Sequence, residues 1–230
     1  CILSYNQEKY IKTCLENVLN QTYNNLEIII SDDNSSDNTW AIIQDILKEY
    51  KGGHIVKSYK NEKNLGLALH YSKIVNEIAI GQYIIFLGGD DICMKNHVAI
   101  AMNYVNKFSE IMLFDFNGEI IDDKGLFVKK IEIKNKYIKN ELDDYLETNS
   151  INSFAPGRII NRKLNDTFGA INQNCPTEDS VMVFRSLLIG GIMRVDENLI
   201  KYRIHSNNLS SPKSLKRMNN EAIIHQYLTD

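Results

Sequence analysis

Hydrophobic and polar positions follow two distinct rhythms along the first half of the chain. Short, nearly continuous apolar runs occupy Cys1–Leu3, Leu26–Ile30, Tyr83–Leu87 and Ile111–Phe116, with a weaker one at Ile55–Tyr59. Between them, apolar residues recur every three or four positions, as in Tyr10, Ile11, Cys14, Leu15 and Val18, or in Trp40, Ile43, Ile46 and Leu47. An apolar run without alternation is a strand buried on both faces, and the longer spacing is one face of a helix. The pattern therefore predicts five strands separated by helices at Tyr10–Leu19, Asp37–Tyr50, Leu67–Ile78 and Asn96–Phe108. Strands and helices alternating in this way build an α/β fold, a Rossmann-like, mostly parallel sheet flanked by helices. The first run starts abruptly, so the first strand is expected to begin upstream of Cys1.

From about residue 117 to 150 the rhythm changes. Lys, Glu, Asp and Asn alternate with Ile and Tyr, and Gly125 marks a turn, which predicts an insertion containing a hairpin and a helix. Pro156-Gly157 punctuates the return to apolar sequence. A helix at Asp179–Leu188, a break at Gly190-Gly191, short strands at Ile192–Val195 and Leu199–Ile204, and a tail helix at Ser214–Leu228 follow. The longest nearly apolar stretch, Val181–Met193, is interrupted by Arg185 and is too short to span a bilayer.

Composition narrows the class. The 230 residues carry a formal net charge of −3, so nothing in bulk draws the chain to nucleic acid. The cysteines at 1, 14, 93 and 175 have no zinc-ligand spacing; they fit a reducing, cytoplasmic compartment, with Cys14 and Cys93 as small core hydrophobes.

Ligands of an open parallel sheet bind beyond the carboxyl ends of its strands. Three such ends carry distinctive residues: Ser4-Tyr5-Asn6, Asp32-Asp33-Asn34-Ser35-Ser36, and Gly88-Gly89-Asp90-Asp91. Ser35, Ser36 or Asp37 can cap the following helix, but capping needs one of them, whereas paired carboxylates at a buried strand end repel unless a cation or donor is present. A polar turn is the plain alternative for Asp90-Asp91, yet two glycines before it suit a close backbone approach to a ligand. The glycine-rich phosphate loops of other nucleotide folds are absent. A bound diphosphate would then be neutralised by a divalent cation, Mn²⁺ or Mg²⁺, held on aspartate oxygens.

Ser4–Ile11, Asn20–Tyr23 and Glu27–Ile30 running into Ser31–Thr39 together resemble the opening of family 2 glycosyltransferases of the GT-A fold. Asn64-Leu65-Gly66 resembles their Asn-x-Gly element, and Phe86–Asp91 lies where their Asp-x-Asp motif belongs. Thr177-Glu178-Asp179 resembles their Glu-Asp motif, and Tyr202–Ser210 their Tyr-Arg-x-His segment. The likeness covers nearly the whole chain in order, apart from about residues 117–150 and the tail. It implies one continuous domain, with a nucleotide-sugar half at 1–116. An acceptor half at 117–230 would hold the small insertion, the catalytic base and the C-terminal helix.

The resemblance also implies roles. Ser4, Tyr5, Asn6, Asn64 and Gly66 belong to the nucleotide site, with Tyr5 against the base and Asp33 hydrogen-bonded to it. Asp90 holds the metal, Asp91 supports it and His205 closes over metal and diphosphate. Asp179 is the general base of an inverting transfer, and Glu178 contacts acceptor or structure. The partners implied are a UDP- or dTDP-sugar and a glycan or lipid-linked acceptor for cell-surface polysaccharide, with hexosyl or rhamnosyl transfer as the activity. Gly88 departs from the pattern, replacing the first acid of Asp-x-Asp.

Plainer readings stand beside these. Acids such as Asp179 favour a helix N-terminus by the macrodipole, with Thr177 as cap, and His205 reads in isolation as a surface histidine. Arg203 can pair with an aspartate of the metal loop. Trp40 belongs to the core, while His54, His70, His97 and His225 have no evident partners. Lys213, Lys216 and Arg217 are first a solvated helix face and second a contact with the inner membrane surface. A nucleotidyltransferase, or a sugar-nucleotide binder without activity, is the competing function.

Overall fold

The computed structural model describes residues 1–148, 150–206, 208 and 220–230, with side chains from 224 onward in the last segment. The Leu26–Ile30 run becomes β2 (Glu27–Asp32), paired in parallel with β1 (Ile2–Ser4) and β3 (Ile55–Lys60). Ile28, Ile29 and Ile30 are each at most 2% exposed, as a strand covered on both faces requires. Ile28 and Ile30 pack against the stripe Ile11, Cys14, Leu15 and Val18 of α1 (Ile11–Val18) and Ile43 of α2 (Thr39–Glu49). Ile29, pointing the other way, packs with Tyr71 of α3 (Leu67–Lys73) and with Ile74 and Val75 of the π-helical turn that follows (Ile74–Ile78).

The Tyr83–Leu87 run divides between two sheets. Its first part, β4 (Tyr83–Ile85), pairs antiparallel with β10 (Ile159–Asn161); its end, β5 (Leu87–Gly88), pairs parallel with β1. The first sheet is thus β3-β2-β1-β5, all parallel, and the second runs β4-β10-β7-β11-β6. Here β6 is Ile92–Cys93, after which α4 (His97–Lys107) covers one face. The strands β7 (Leu113–Ile121) and β11 (Ile192–Arg203) form a long parallel pair. The two short strands expected at Ile192–Val195 and Leu199–Ile204 are one strand, interrupted only by register shifts around Asn198.

The insertion contains the expected hairpin and helix. β8 (Phe127–Ile131) folds back on β7, β9 (Tyr137–Asn140) adds to β11, and α5 is Leu142–Thr148. After α6 (Lys163–Phe168), α7 (Glu178–Ile189) begins at the Thr177 cap, whose hydroxyl accepts the Asp179 N–H. The last described helix, α8 (Asn220–Thr229), is fastened to α7 by the buried ion pair Arg185–Asp230 at 2.7 Å. Lys213, Lys216 and Arg217, and the start of the expected tail helix, lie outside the described residues. All four cysteines are free thiols, with Cys14 and Cys93 in the core. Trp40 packs against the same core cluster. Among the described residues no helix is long and apolar enough to cross a membrane.

Candidate active site

Parallel pairing sets the carboxyl ends of β1, β2 and β5 side by side: Ser4 lies opposite Asp32, and Leu3 opposite Gly88. Main-chain bonds extend the alignment past the strands, from Asp33 N to Ser4 O (2.8 Å) and from Gly89 N to Leu3 O (3.0 Å). The three polar segments singled out above therefore share one rim. A hollow of about 930 Å³ at the opposite end of the strands, beside Cys1, Glu27 and Tyr83, carries none of the candidate residues.

The two aspartates after β2 escape mutual repulsion because each has its own donors. Asp32 accepts the main-chain N–H and hydroxyl of Ser35. Asp33 accepts Asn61 Nδ2 at 2.8 Å, Leu65 N at 2.9 Å and Gly66 N at 3.0 Å. It thereby ties the Asn64-Leu65-Gly66 turn to the rim, and Gly66 adopts φ +76°, a conformation that favours glycine. Capping of α2 falls to Asp37, which accepts both the N–H and the hydroxyl of Thr39. Tyr5 is 48% exposed, as a platform for a ring must be. Ser4 turns inward to Ser31 O and Asp32, and Asn6, at φ +52°, accepts the Ser36 N–H. Both hold the loop in shape.

Beyond β5, a Cβ on Gly89 would overlap the side chains of Gln7 and Ile11, and one on Gly88 would crowd Asp90 Oδ1. The glycines leave room for the acidic turn to fold back against the strand. Asp90 Oδ2 meets His205 Nε2 at 2.9 Å. Asp91 instead accepts the Arg203 main-chain N–H at 2.9 Å, and burial, then the neighbouring Asp90, raises its carboxyl well above the usual aspartate value. Arg203 binds carbonyls rather than carboxylates: Asp90 O at 2.9 Å, and Asp122 O and Asp123 O in the β7–β8 turn. Tyr10 supports both residues, with the His205 ring 5.0 Å from its own and the Arg203 guanidinium 4.8 Å from its centroid.

A cation between Asp90 and His205 would find one carboxylate and one imidazole. Among the described residues no group of three or more potential ligands forms a cage. Two protein ligands suit Mg²⁺ or Mn²⁺, which commonly complete their shells with substrate phosphates and water.

Glu178 and Asp179 open α7 in the other half of the chain. Asp179 keeps 44% of its side-chain surface open and is held by Arg158 Nη1 at 3.3 Å. Its partial withdrawal from water raises its pKa, Arg158 opposing and Asp115 adding. Glu178 differs: its Oε2 is buried without a hydrogen-bond partner, and burial, then Asp179, push its pKa up to about 8. The folded chain binds this proton more tightly than the unfolded one, whose value is near 4.5. Stability from this group is therefore full below about pH 4.5 and lost as pH rises toward 8. Glu178→Gln is expected to flatten that loss, so that urea unfolding shows the variant matching the parent at pH 5 and exceeding it by roughly 1–3 kcal/mol at pH 8.

Two histidines without evident partners have them: His70 Nε2 meets Ser31 Oγ at 2.7 Å, and His54 Nε2 meets Gln21 O at 2.9 Å. Asp115, Ser153 and Arg158, which surround the base candidate from inside, escaped the sequence reading. Their one signal was an acid inside the apolar run of β7 and an arginine immediately before that of β10.

The sequence profile described as Glycosyl transferase family 2 matches residues 1–169. UDP-Glc:alpha-D-GlcNAc-diphosphoundecaprenol beta-1,3-glucosyltransferase of Escherichia coli is 28% identical over 92% of this chain and 79% of its own length. The S. aureus TarS structure in complex with UDP superposes with a TM-score of 0.73 at 18% identity, over 99% of this chain and 63% of that one. The mannosyltransferase of Pyrobaculum calidifontis in complex with GDP-Man and Mn²⁺ gives 0.63 at 13% identity, over 86% of this chain and 53% of that one. The chain spans 35% and 66% of the lengths of two uncharacterised bacterial glycosyltransferases that it also matches, from Rickettsia felis and Haemophilus influenzae. The architecture is GT-A, with the parallel sheet flanked by helices.

Proposed function

Because this chain belongs to glycosyl transferase family 2, we propose that it transfers a sugar, with inversion, from a nucleoside diphosphate to a hydroxyl of a lipid-linked glycan precursor. The observation that carries the reading is the convergence of Asp33, Asp90 and His205 on one strand-end rim, while α7 presents a partly open Asp179 from the other half.

Tyr5 offers an exposed ring for the base, and Asp33 with the Asn64–Gly66 turn lies at the neighbouring strand end. Asp90 and His205 would hold a divalent cation, with Asp91 and Arg203 fixing the turn behind them. When bound, that cation supplies Lewis-acid stabilisation of the diphosphate leaving group. Asp179 takes the proton of the acceptor hydroxyl as it attacks the anomeric carbon, and a single displacement inverts the centre. The neutral Glu178 beside it is suited to donate a hydrogen bond to a sugar hydroxyl. A UDP-sugar is the donor class favoured, since a relative and a structural neighbour use UDP or its sugar. The E. coli relative acts on a diphosphoundecaprenol-linked sugar, which favours a lipid-linked acceptor met at the inner membrane face.

A panel of UDP-, dTDP- and GDP-sugars assayed for donor consumption, with and without Mn²⁺, tests the reading. One donor class is expected to turn over in the presence of Mn²⁺ and release nucleoside diphosphate. Donor consumption only when pyrophosphate is added, giving a nucleoside triphosphate and a sugar phosphate, would indicate a nucleotidyltransferase, and binding without turnover of any donor a non-catalytic protein.

A further inference from the structure

Behind Asp179 the interior holds a charged network that the displacement chemistry does not require. Asp115, in the apolar strand β7, is 0% exposed and Arg158 is 4% exposed. The guanidinium grips Asp115 with one edge, Nε at 3.0 Å from Oδ1 and Nη2 at 3.2 Å from Oδ2. Ser153 Oγ accepts Nη2 at 2.7 Å and donates to Asp115 Oδ2 at 2.6 Å, and the Phe154 N–H adds a bond to the same oxygen. The remaining nitrogen, Nη1, is turned to the first turn of α7, 3.3 Å from Asp179 Oδ1 and 3.2 Å from its carbonyl oxygen. Neutralising Asp115 alone would not require an edge presented to α7.

We propose that Arg158, locked by Asp115 and Ser153, is the positioning residue for the general base, holding Asp179 Oδ1 so that Oδ2 is presented to the acceptor hydroxyl. The proposal rests on the reading of Asp179 as that base. Among the described residues Oδ2 receives no hydrogen bond, which leaves its lone pairs for the incoming proton. The fork on Asp115 fixes the plane of the guanidinium, and the single Nη1 contact then sets the place of Asp179 Oδ1.

The sharing of Arg158 with Asp115 matters for the base strength. An arginine devoted to Asp179 would make it a poorer proton acceptor; an absent arginine would let partial burial and Asp115 raise its pKa further. Asp115 takes up much of the cation's charge and leaves the orienting contact. The charged and titratable groups facing Asp179 are Glu178 on α7, Tyr71 on α3, Arg158, and Asp115 on β7, with Arg194 on β11 close to the last two.

The test compares Arg158→Gln, Arg158→Lys and Asp115→Asn with the parent in pH profiles of kcat/KM. It also follows the Asp179 carboxyl by ¹³C NMR titration, the resonance being identified by its absence in Asp179→Asn. In Arg158→Gln, kcat is expected to fall roughly 100-fold with donor KM unchanged, and the acid limb and the Asp179 titration to move up together by about one pH unit. In Arg158→Lys part of kcat returns. In Asp115→Asn both curves move down, because Arg158 then leans on Asp179 alone. If Arg158→Gln does not fold, the downward shift in Asp115→Asn and a kcat below the parent's with unchanged donor KM in Arg158→Lys decide the matter. An Asp179 titration unmoved in every folded variant overturns the proposal. A titration that moves while the rate profile stays fixed overturns the base assignment, and the positioning role with it.

Discussion

Asp179→Asn is expected to lower sugar-transfer turnover by roughly 10²–10⁴-fold, the usual contribution of a positioned general base. Nucleoside diphosphate affinity should stay within about twofold of the parent, since the proposed nucleotide contacts lie on the strand ends and not on α7. The amide keeps the size of the side chain, an oxygen for Arg158 Nη1 and the main-chain N–H that Thr177 caps. It loses only the capacity to take a proton. Glu178 does not replace it: its Oε2 is buried and its pKa of about 8 keeps it protonated at neutral pH. Steady-state donor consumption with acceptor present, alongside calorimetry with UDP, separates the two quantities. Full turnover in the variant would move the base to another residue.

Asp90→Asn should act on the opposite half of the reaction. It removes the carboxylate that meets His205 at 2.9 Å, the group proposed to hold the cation on the diphosphate. UDP affinity in Mn²⁺ is expected to weaken by roughly 100-fold or more, with transfer falling at least as far. UDP affinity without a divalent ion should change little, because the proposed base stacking on Tyr5 and contacts near Asp33 do not involve Asp90. Asp91→Asn is the control. Its Oδ1 is spent on the Arg203 N–H, a bond that an asparagine oxygen can still accept. It should therefore retain Mn²⁺-dependent binding. Calorimetry with and without Mn²⁺ reads both variants, and equal Mn²⁺ responses in parent and Asp90→Asn would remove Asp90 from the metal site.

The hydrophobic pattern revealed the first 116 residues because that stretch is built locally. With one exception each apolar run there is a single strand, and each three-to-four spacing is helical, so element order and the polar strand ends follow from periodicity. It misread Tyr83–Leu87, because one apolar run can serve two sheets: nothing in the residues marks the bend at Phe86 where β4 leaves for β10 and β5 for β1. It divided β11 at Asp196-Glu197-Asn198, polar residues that the strand carries as a bulged stretch supported by β7. The roles within the site were legible unevenly. Asp90 and His205, over a hundred residues apart, meet as the motifs suggest, whereas Arg203 turned out to bind carbonyls and Asp91 a main-chain N–H.

The chain's own order of residues determined the fold class, the three acidic or aromatic strand ends and the capped start of α7, because these depend on neighbours a few positions away. Only the tertiary structure decided which carboxylate serves which donor: Asp33 binding the Asn64–Gly66 turn, Asp91 receiving Arg203, and Arg158 standing between Asp115 and Asp179. Such pairings join segments tens of residues apart, and the protonation of each acid follows from burial and from the charges that packing brings near it. Neither quantity is a property of a residue and its sequence neighbours alone.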